Sequence, residues 1–170
     1  MKTPKETLTI MTELVQIGDV NNLQTLHGGR LMYWMDVCSA ISASKHAEAS
    51  VVTASVDNVS FQKPIKLGSL VTIESKVVRS FKSSMEVHIE VWVHTNYGKE
   101  KSKSNEAYYT FVAIGPDAKP KPVEEIIPET EREKGLFDGA LRRRQLRLIL
   151  GGKMKVEDAN ELRALILNEE

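Results

Sequence analysis

A glycine pair and a carboxylate share one apolar segment of the sequence, and together they could carry out acyl-transfer chemistry. Gly28 and Gly29 open the segment, and Asp36 follows about two helical turns later. Between Gly28 and Ser44 the only charged residues are Arg30 and Asp36, so the segment is predicted to be a buried helix. A buried carboxylate is costly unless it is paired, which indicates that Asp36 has a function.

The two ends of this segment offer complementary chemistry. Glycines at a helix start leave backbone N–H groups without intrahelical partners and allow a ligand to approach closely. Such N–H groups can stabilise a developing oxyanion, and Asp36 can act as a general base or as a nucleophile. A tight turn followed by a capping carboxylate is the alternative, and the residues alone leave it open.

The spacing of these groups predicts two subunits. On one helix, Asp36 lies about 11 Å along the axis from the glycines at ~1.5 Å per residue, too far for both to reach one atom. Two helices packed antiparallel across a twofold axis can place the start of one against Asp36 of the other. The sequence therefore predicts an obligate dimer with two equivalent interfacial sites.

Composition limits the class of protein. The chain has 170 residues, with 23 Lys and Arg balanced by 23 Asp and Glu, so its bulk charge does not favour nucleic acid. The single cysteine, Cys38, excludes a disulfide framework and is predicted to be a buried apolar residue. No stretch approaches the ~20 apolar residues of a membrane span. We expect a cytoplasmic protein that binds neither nucleic acid nor membrane.

The elements that position the glycines and Asp36 are one long helix and a series of strands. One strand alternates apolar and polar residues over ten positions, which is typical of a sheet with one face buried. This order predicts an α+β fold in which an antiparallel sheet wraps around one long central helix, with extra C-terminal helices. The predicted elements are a helix at 28–46 and strands at about 7–17, 51–56, 69–79, 85–94 and 103–114.

The chain is predicted to divide into three parts. Residues 1–116 form the domain that holds the site, and residues 117–128, rich in proline, form a linker. Residues 129–170 form a helical extension with two helices separated by Gly151 and Gly152.

The histidines in the alternating strand suggest a metal site, but their spacing argues against it. His88 and His94 share a strand face with Glu86 and Glu90. At ~3.3 Å per residue the two histidines lie about 20 Å apart, too far to share one ion. We therefore predict a polar outer face and no metal.

The run from Thr25 to Asp36 closely resembles the active-site signature of hotdog-fold acyl-CoA thioesterases of the cytosolic acyl-CoA hydrolase type. The chain departs from many members in lacking a glycine just before Thr25, and its C-terminal part matches no pattern of the family. The resemblance spans about residues 6–135 and continues through Val51–Asp57, Val59–Gly68, Ser83–Val87, Phe111–Ala113 and Pro128–Thr130, with Glu131 and Lys134.

The resemblance implies a double hotdog, often assembled as a trimer of dimers, that hydrolyses fatty acyl-CoA to free acid and coenzyme A without metal or prosthetic group. By position, Asp36 matches the catalytic carboxylate, and Thr25 matches the residue that faces it from the partner subunit. The amides of Gly28 and Gly29 match the site of the thioester carbonyl. Asp36 would activate water or attack directly, and the sequence does not choose between these routes.

The resemblance also indicates residues that contact coenzyme A. In the family a strand–strand turn commonly lies near the nucleotide and pantetheine, and here a solvated turn is the alternative. Thr53 and Ser55 are predicted to share a strand face and to line the partner's thioester pocket, or to be ordinary strand residues. The residues of the turn are Arg79, Lys82, Ser83 and Ser84.

Two other functions compete with hydrolysis. One is a hotdog module that binds acyl-CoA as a sensor without turning it over, and the presence of Asp36 favours an enzyme over it. The other is a dehydratase or hydratase, whose chemistry needs an acid–base pair, usually Asp with His. His27 is the only histidine near the glycines and is not in such a motif.

Overall fold

A computed structural model describes residues 1–57, 59, 61, 63–95 and 98–167. The chain forms two compact units, the first being Met1–Ile127 and the second beginning at Pro128. The elements of the first unit are α1 (Pro4–Thr7), β1 (Thr9–Leu14), α2 (Gly28–Ala47), β2 (Ser50–Asp57), β3 (Leu70–Ser80), β4 (Ser84–Thr95) and β5 (Glu100–Ile114). Those of the second are α3 (Glu131–Leu150) and α4 (Asn160–Leu167).

The first unit is one five-stranded antiparallel sheet and the long helix α2. The strand order is β1-β3-β4-β5-β2, so β1 and β2 are the edges, and every pairing is antiparallel. Side chains of β4 such as Val87 and Ile89 are fully buried and form the core of this unit. The predicted α+β architecture, with an antiparallel sheet around one long helix, is confirmed.

Helix α2 ends where two lysines reach its last carbonyl groups. Lys2 Nζ donates to the carbonyl oxygens of Lys45 at 2.7 Å and His46 at 3.3 Å, and Lys121 Nζ donates to that of Ala47 at 3.3 Å. These contacts satisfy carbonyls that have no partner within the helix and place positive charge at its negative end.

Cys38 lies inside this helix as an apolar residue, as predicted. It is fully buried, its Sγ lies 3.2 Å from Ser75 Oγ, and burial raises the pKa of its thiol. A thiol with a raised pKa is a poor nucleophile.

The proline-rich segment packs along the first unit. Lys121 N donates to the Ala113 carbonyl at 2.8 Å, and Val123 N donates to the Lys82 carbonyl at 3.1 Å. Ile126 is fully buried. The segment is therefore held by backbone hydrogen bonds and by an apolar anchor.

The second unit consists of two helices with a well-capped start. Thr130 Oγ1 accepts from Glu133 N, and the Glu133 carboxylate accepts from Thr130 N, both at 3.2 Å, which is a capping box. Gln145 Oε1 accepts from Leu162 N at 2.8 Å and ties α3 to α4. In the described part of the chain, no helix is both long and apolar enough to cross a membrane.

Burial of His46 predicts a loss of stability in acid. Its Nε2 lies 2.9 Å from the Glu124 carbonyl oxygen, and burial lowers the pKa of the imidazole. Because the folded pKa lies below the unfolded value of about 6.5, this contribution to stability is complete above that pH and is lost as pH falls through the folded pKa. We expect Tm to fall more between pH 7 and 5 in wild type than in His46→Gln. Equal losses in thermal unfolding scans would contradict this assignment.

Candidate active site

Asp36 lies at the edge of the interface between α2 and the sheet. Its carboxylate is partly exposed and accepts a hydrogen bond from Thr53 Oγ1 on β2 at 2.7 Å. The prediction of a helix buried on nearly every side is wrong here, because Tyr33, one turn earlier, is 58% exposed. Asp36 is therefore a paired carboxylate at the surface of the single chain.

The edge strand β2 carries exposed apolar side chains on both faces of the sheet. Val56, on the same face as Thr53, is 39% exposed, and Val52, on the other face, is 51% exposed. A strand edge offers unpaired backbone groups, and apolar residues beside it mark a surface for another chain. This surface is where the predicted dimer needs an interface.

In the described part of the chain, the amides at the start of α2 have no intrahelical partner, as the sequence predicts. The first helical hydrogen bonds are donated by Arg30 N and Leu31 N to the His27 carbonyl, at 3.0 and 3.1 Å. The amides of Gly28 and Gly29 precede these donors, at the positive end of the helix dipole.

The aromatic ring of Phe61 lies against Gly28 and leaves little room for a side chain there. A Cβ atom on Gly28 would lie 3.1 Å from Phe61 Cζ, closer than side chains normally approach, whereas nothing lies within 4 Å of such an atom on Gly29. Phe61 is itself 53% exposed, so its ring forms a rim beside the helix start.

A cavity of about 380 Å³ opens beside Gly28. Its deeper residues are mostly apolar and buried, and its rim carries Phe61, Lys63 and Pro64. Concave sites with an apolar floor and few polar groups are typical of binding sites for small molecules. The full lining is Thr25, Leu26, Gly28, Leu31, Phe61, Lys63, Pro64, Ile65 and Asn105.

The loop before the helix depends on Asn21, which the sequence analysis missed. Asn21 Nδ2 donates to Thr25 Oγ1 at 3.0 Å, and Asn21 Oδ1 accepts from Leu23 N at 2.9 Å and Thr25 N at 3.2 Å. Asparagine commonly bonds backbone amides two residues on, and that tendency is the signal that could have identified it. Thr25 is therefore held by Asn21 as one hydrogen-bonded pair.

Just before Thr25, where many family members have glycine, the loop backbone of this chain adopts a conformation that glycine favours. Gln24 occupies that position with a φ of 57°, the left-handed region that glycine enters at no steric cost. Gln24 keeps its carbonyl bonded to Leu67 N at 3.2 Å.

Thr53 and Ser55 do not share a face of the sheet, and that prediction is wrong. Thr53 pairs with Phe111, but a bulge follows, so Ser55 pairs with Thr110. Because neighbouring residues of β5 point to opposite faces, the bulge moves Ser55 to the face away from Asp36. Only Thr53 of this pair contacts Asp36.

The four residues predicted to contact coenzyme A lie at the β3–β4 turn, as expected. Phe81 N donates to the Ser84 carbonyl at 2.7 Å, and the Ser83 carbonyl accepts from Ala113 N at 2.9 Å. The Arg79 guanidinium lies 5.8 Å from the centre of the Phe81 ring, and Lys82 is exposed. The turn thus has a fixed backbone and two cationic side chains.

The polar face of β4 is buried, so the prediction of an outer face is wrong: Glu86, His88 and Glu90 are 0%, 2% and 8% exposed. These polar side chains form networks, to which the structure adds residues from β5. The ligand atoms of His88, Glu90 and Glu106 all lie within 4.8 Å of one another, but Lys103 Nζ lies 2.7 Å from Glu90 and 2.8 Å from Glu106. Despite burial, the hydrogen bonds from Lys103 and His88 lower the pKa of Glu106 to about 2. A lysine ammonium therefore already supplies the cation of this cluster. His94 lies apart from it, with Nε2 3.1 Å from Thr72 Oγ1.

Comparison with known proteins identifies the family. Residues 23–97 match the family model of the thioesterase superfamily. A Bacillus subtilis relative, the uncharacterized acyl-CoA thioester hydrolase YkhA, is 39% identical over 148 residues, which are 84% of this chain and 86% of the relative. The chain belongs to the hotdog-fold acyl-CoA thioesterases.

Solved structures of this family superpose closely on the thioesterase. An apo-hexameric acyl-CoA thioesterase matches with a TM-score of 0.84 and 34% identity, over 89% of this chain and 98% of that one. The Staphylococcus aureus acyl-CoA hydrolase in complex with butyryl coenzyme A, coenzyme A and coenzyme A disulfide matches with a TM-score of 0.83 and 36% identity, over 90% and 95%. Alanine variants of the Staphylococcus enzyme have been solved at an aspartate, at a threonine seventeen residues after it and at an asparagine fifteen residues before it.

Proposed function

We propose that the protein hydrolyses acyl-CoA thioesters to the free acid and coenzyme A. The observation that carries this proposal is the hydrogen bond from Thr53 to Asp36, which holds a surface carboxylate on the same helix that begins with the Gly28 and Gly29 amides. The names of the relatives, acyl-CoA thioester hydrolase and acyl-CoA hydrolase, support the substrate class.

In the proposed reaction the start of α2 and Asp36, about two turns further along the helix, serve different sites. Asp36 of one subunit takes a proton from water as the water oxygen attacks the thioester carbonyl, or attacks that carbon itself. The oxyanion is held by the Gly28 and Gly29 amides of the partner. The C–S bond then breaks and coenzyme A leaves as a thiolate, which is a good leaving group. The water route gives the free acid at this point. Direct attack gives a mixed anhydride with Asp36, which water then hydrolyses to the free acid and the regenerated carboxylate. No cofactor or metal takes part in this scheme.

The partner's contribution is proposed to be Asn21 together with Thr25. The spacing of the Staphylococcus variants, an asparagine fifteen residues before the aspartate and a threonine seventeen after it, selects Asn21, Asp36 and Thr53 in this chain. Thr53 is already bonded to Asp36, which supports the assignment. Thr25, which was predicted to face Asp36, is hydrogen-bonded to Asn21 and extends this pair.

The assembly is proposed to be a dimer that pairs through β2, with three dimers forming a hexamer. The exposed valines of β2 and the uncovered face of α2 support the dimer. A neighbour of 34% identity named as hexameric supports the larger assembly. A cytoplasmic location stays a prediction.

The substrate is proposed to lie between the helix start and the β3–β4 turn. The cavity beside Gly28 suits the acyl group, because its floor residues Leu26, Leu31 and Ile65 are apolar and buried. Arg79 and Lys82, with the serines of the same turn, are proposed to contact the phosphates and pantetheine of coenzyme A. Ser55 lies on the other face of the sheet, and we do not include it.

The experiment that tests this function is thiol release from acyl-CoAs of two to eighteen carbons, followed with and without EDTA. We expect multiple turnovers and a rate that EDTA does not change, because the scheme uses no metal. Tight binding of acyl-CoA without turnover would instead identify an acyl-CoA-binding module, and inhibition by EDTA would contradict the metal-free scheme.

A further inference from the structure

The hydroxyl group of Tyr109 is buried and has no hydrogen-bond partner among the described residues. Tyr109, on β5, is 1% exposed, and among the residues that the structure describes none bonds its oxygen. Burying a hydroxyl without a partner is destabilising, and phenylalanine would fill the same space without that cost. A buried polar group without a partner in a native protein therefore calls for a reason.

The strand register places Tyr109 next to the bonded pair of Thr53 and Asp36. Phe111 lies directly opposite Thr53, and Tyr109, two residues from Phe111, points to the same face. Tyr109 is thus a diagonal neighbour of Thr53, a distance that an aromatic side chain can span. Asp36 accepts its hydrogen bond from Thr53 within this same space.

The Tyr109 hydroxyl remains a proton donor at any ordinary pH. Burial and the charge of Asp36 raise the pKa of Tyr109 to about 12. Other titratable side chains belong to the elements packed around the ring: Tyr33 and Cys38 lie on neighbouring turns of α2, and Asp57 ends β2. On β4, Val87 pairs with Tyr109, and the titratable side chains on either side of Val87 point to the other face of the sheet. Asp36 is therefore the anion that this donor can serve.

We propose that Tyr109 is a positioning residue whose hydroxyl donates a hydrogen bond to Asp36 when that carboxylate turns from Thr53 toward the reacting water. This inference rests on the proposed hydrolysis. In the resting chain the carboxylate accepts a hydrogen bond from Thr53, and in the reacting state Tyr109 fixes the oxygen that does not receive the proton. A hydrogen bond to the charged form of a carboxylate favours that form, so Tyr109 also keeps Asp36 ionised.

The test is Tyr109→Phe, which removes only the hydroxyl. We expect kcat to fall by about tenfold with little change in KM, and the acid limb of the kcat–pH profile to move to higher pH. We also expect Tm to stay the same or rise, because a buried group without a partner is removed. A purely structural hydroxyl would give the same Tm change with an unaltered kcat and acid limb, and that result would overturn the proposal.

Tyr108→Phe is the matched control, because it removes a hydroxyl from the next residue of β5, whose side chain points to the other face. That hydroxyl lies 3.5 Å from Glu106, and its loss should leave kcat and the acid limb unchanged. A failure of the proposed function is distinguishable, since wild type itself would then release no thiol. In that event a ¹³C NMR titration of Asp36 in the protein saturated with acyl-CoA, assigned by its absence in Asp36→Asn, decides the inference, because the proposed hydrogen bond forms in the substrate-bound state. A higher pKa of Asp36 in Tyr109→Phe supports it, and equal values overturn it.

Discussion

Replacing Asp36 with alanine is expected to lower kcat/KM for acyl-CoA hydrolysis by at least ~100-fold while the protein stays folded and assembled. The carboxylate is the base in one proposed route and the nucleophile in the other, and no other group is proposed to take its place opposite the partner's amides. The contribution of Asp36 to the free energy of unfolding is small, because the side chain is partly exposed and its hydrogen bond to Thr53 is worth only about 1 kcal/mol. The measurement is thiol release, with Tm and size-exclusion elution recorded for the same preparation.

The control for this variant is Asp117→Ala, which removes an exposed carboxylate that accepts from Lys119 N at 3.2 Å in a loop. It should keep wild-type turnover. Turnover within tenfold of wild type in Asp36→Ala would place the base elsewhere, even though the function itself would stand.

The fold could be predicted from the sequence where the pattern is long and regular. The apolar run with one glycine pair fixes the start of α2 at Gly28, and strict alternation from Met85 identifies β4. Both signals are local, because periodicity reports which side of an element is apolar. The first predicted strand was too long, since the capped turn at Pro4–Thr7 and the 3₁₀ turn at Ile17–Asp19 lie at its ends.

The details of the site depend on interactions that periodicity does not report. The bulge between Thr53 and Ser55 inserts one residue against β5 and reverses the face of everything after it. The pairing of Asn21 with Thr25 is set by the geometry of a loop. The exposure of Asp36 could not be predicted because it borders a helix face that is apolar although the sheet does not cover it. In sequence, an apolar residue covered by its own chain looks the same as one covered by another subunit.

Two inactive variants are expected to restore activity when they assemble with each other. Asp36→Ala lacks the carboxylate, and Asn21→Ala lacks the loop residue proposed to face it from the partner subunit. If each site takes Asp36 from one subunit and Asn21 from the other, a mixed dimer has one intact site. Each mixed dimer keeps one site of two, so the isolated mixed species should have about half of wild-type turnover. The unseparated co-expressed mixture, in which half of randomly paired dimers are mixed, should have about a quarter. The mixed species is isolated through two different affinity tags and assayed for thiol release.

The control pairs Asp36→Ala with Thr53→Val, two changes that fall on the same side of the site because Thr53 bonds Asp36 of its own chain. A mixed dimer then has no intact site, and turnover should not exceed that of the Thr53→Val subunits alone. A parallel mixture with Thr25→Val shows whether Thr25 also acts from the partner. Recovery with Thr53→Val but not with Asn21→Ala would reverse the assignment of residues to subunits. Absence of recovery in every mixture, with mixed dimers verified by mass, would mean that each subunit completes its own site.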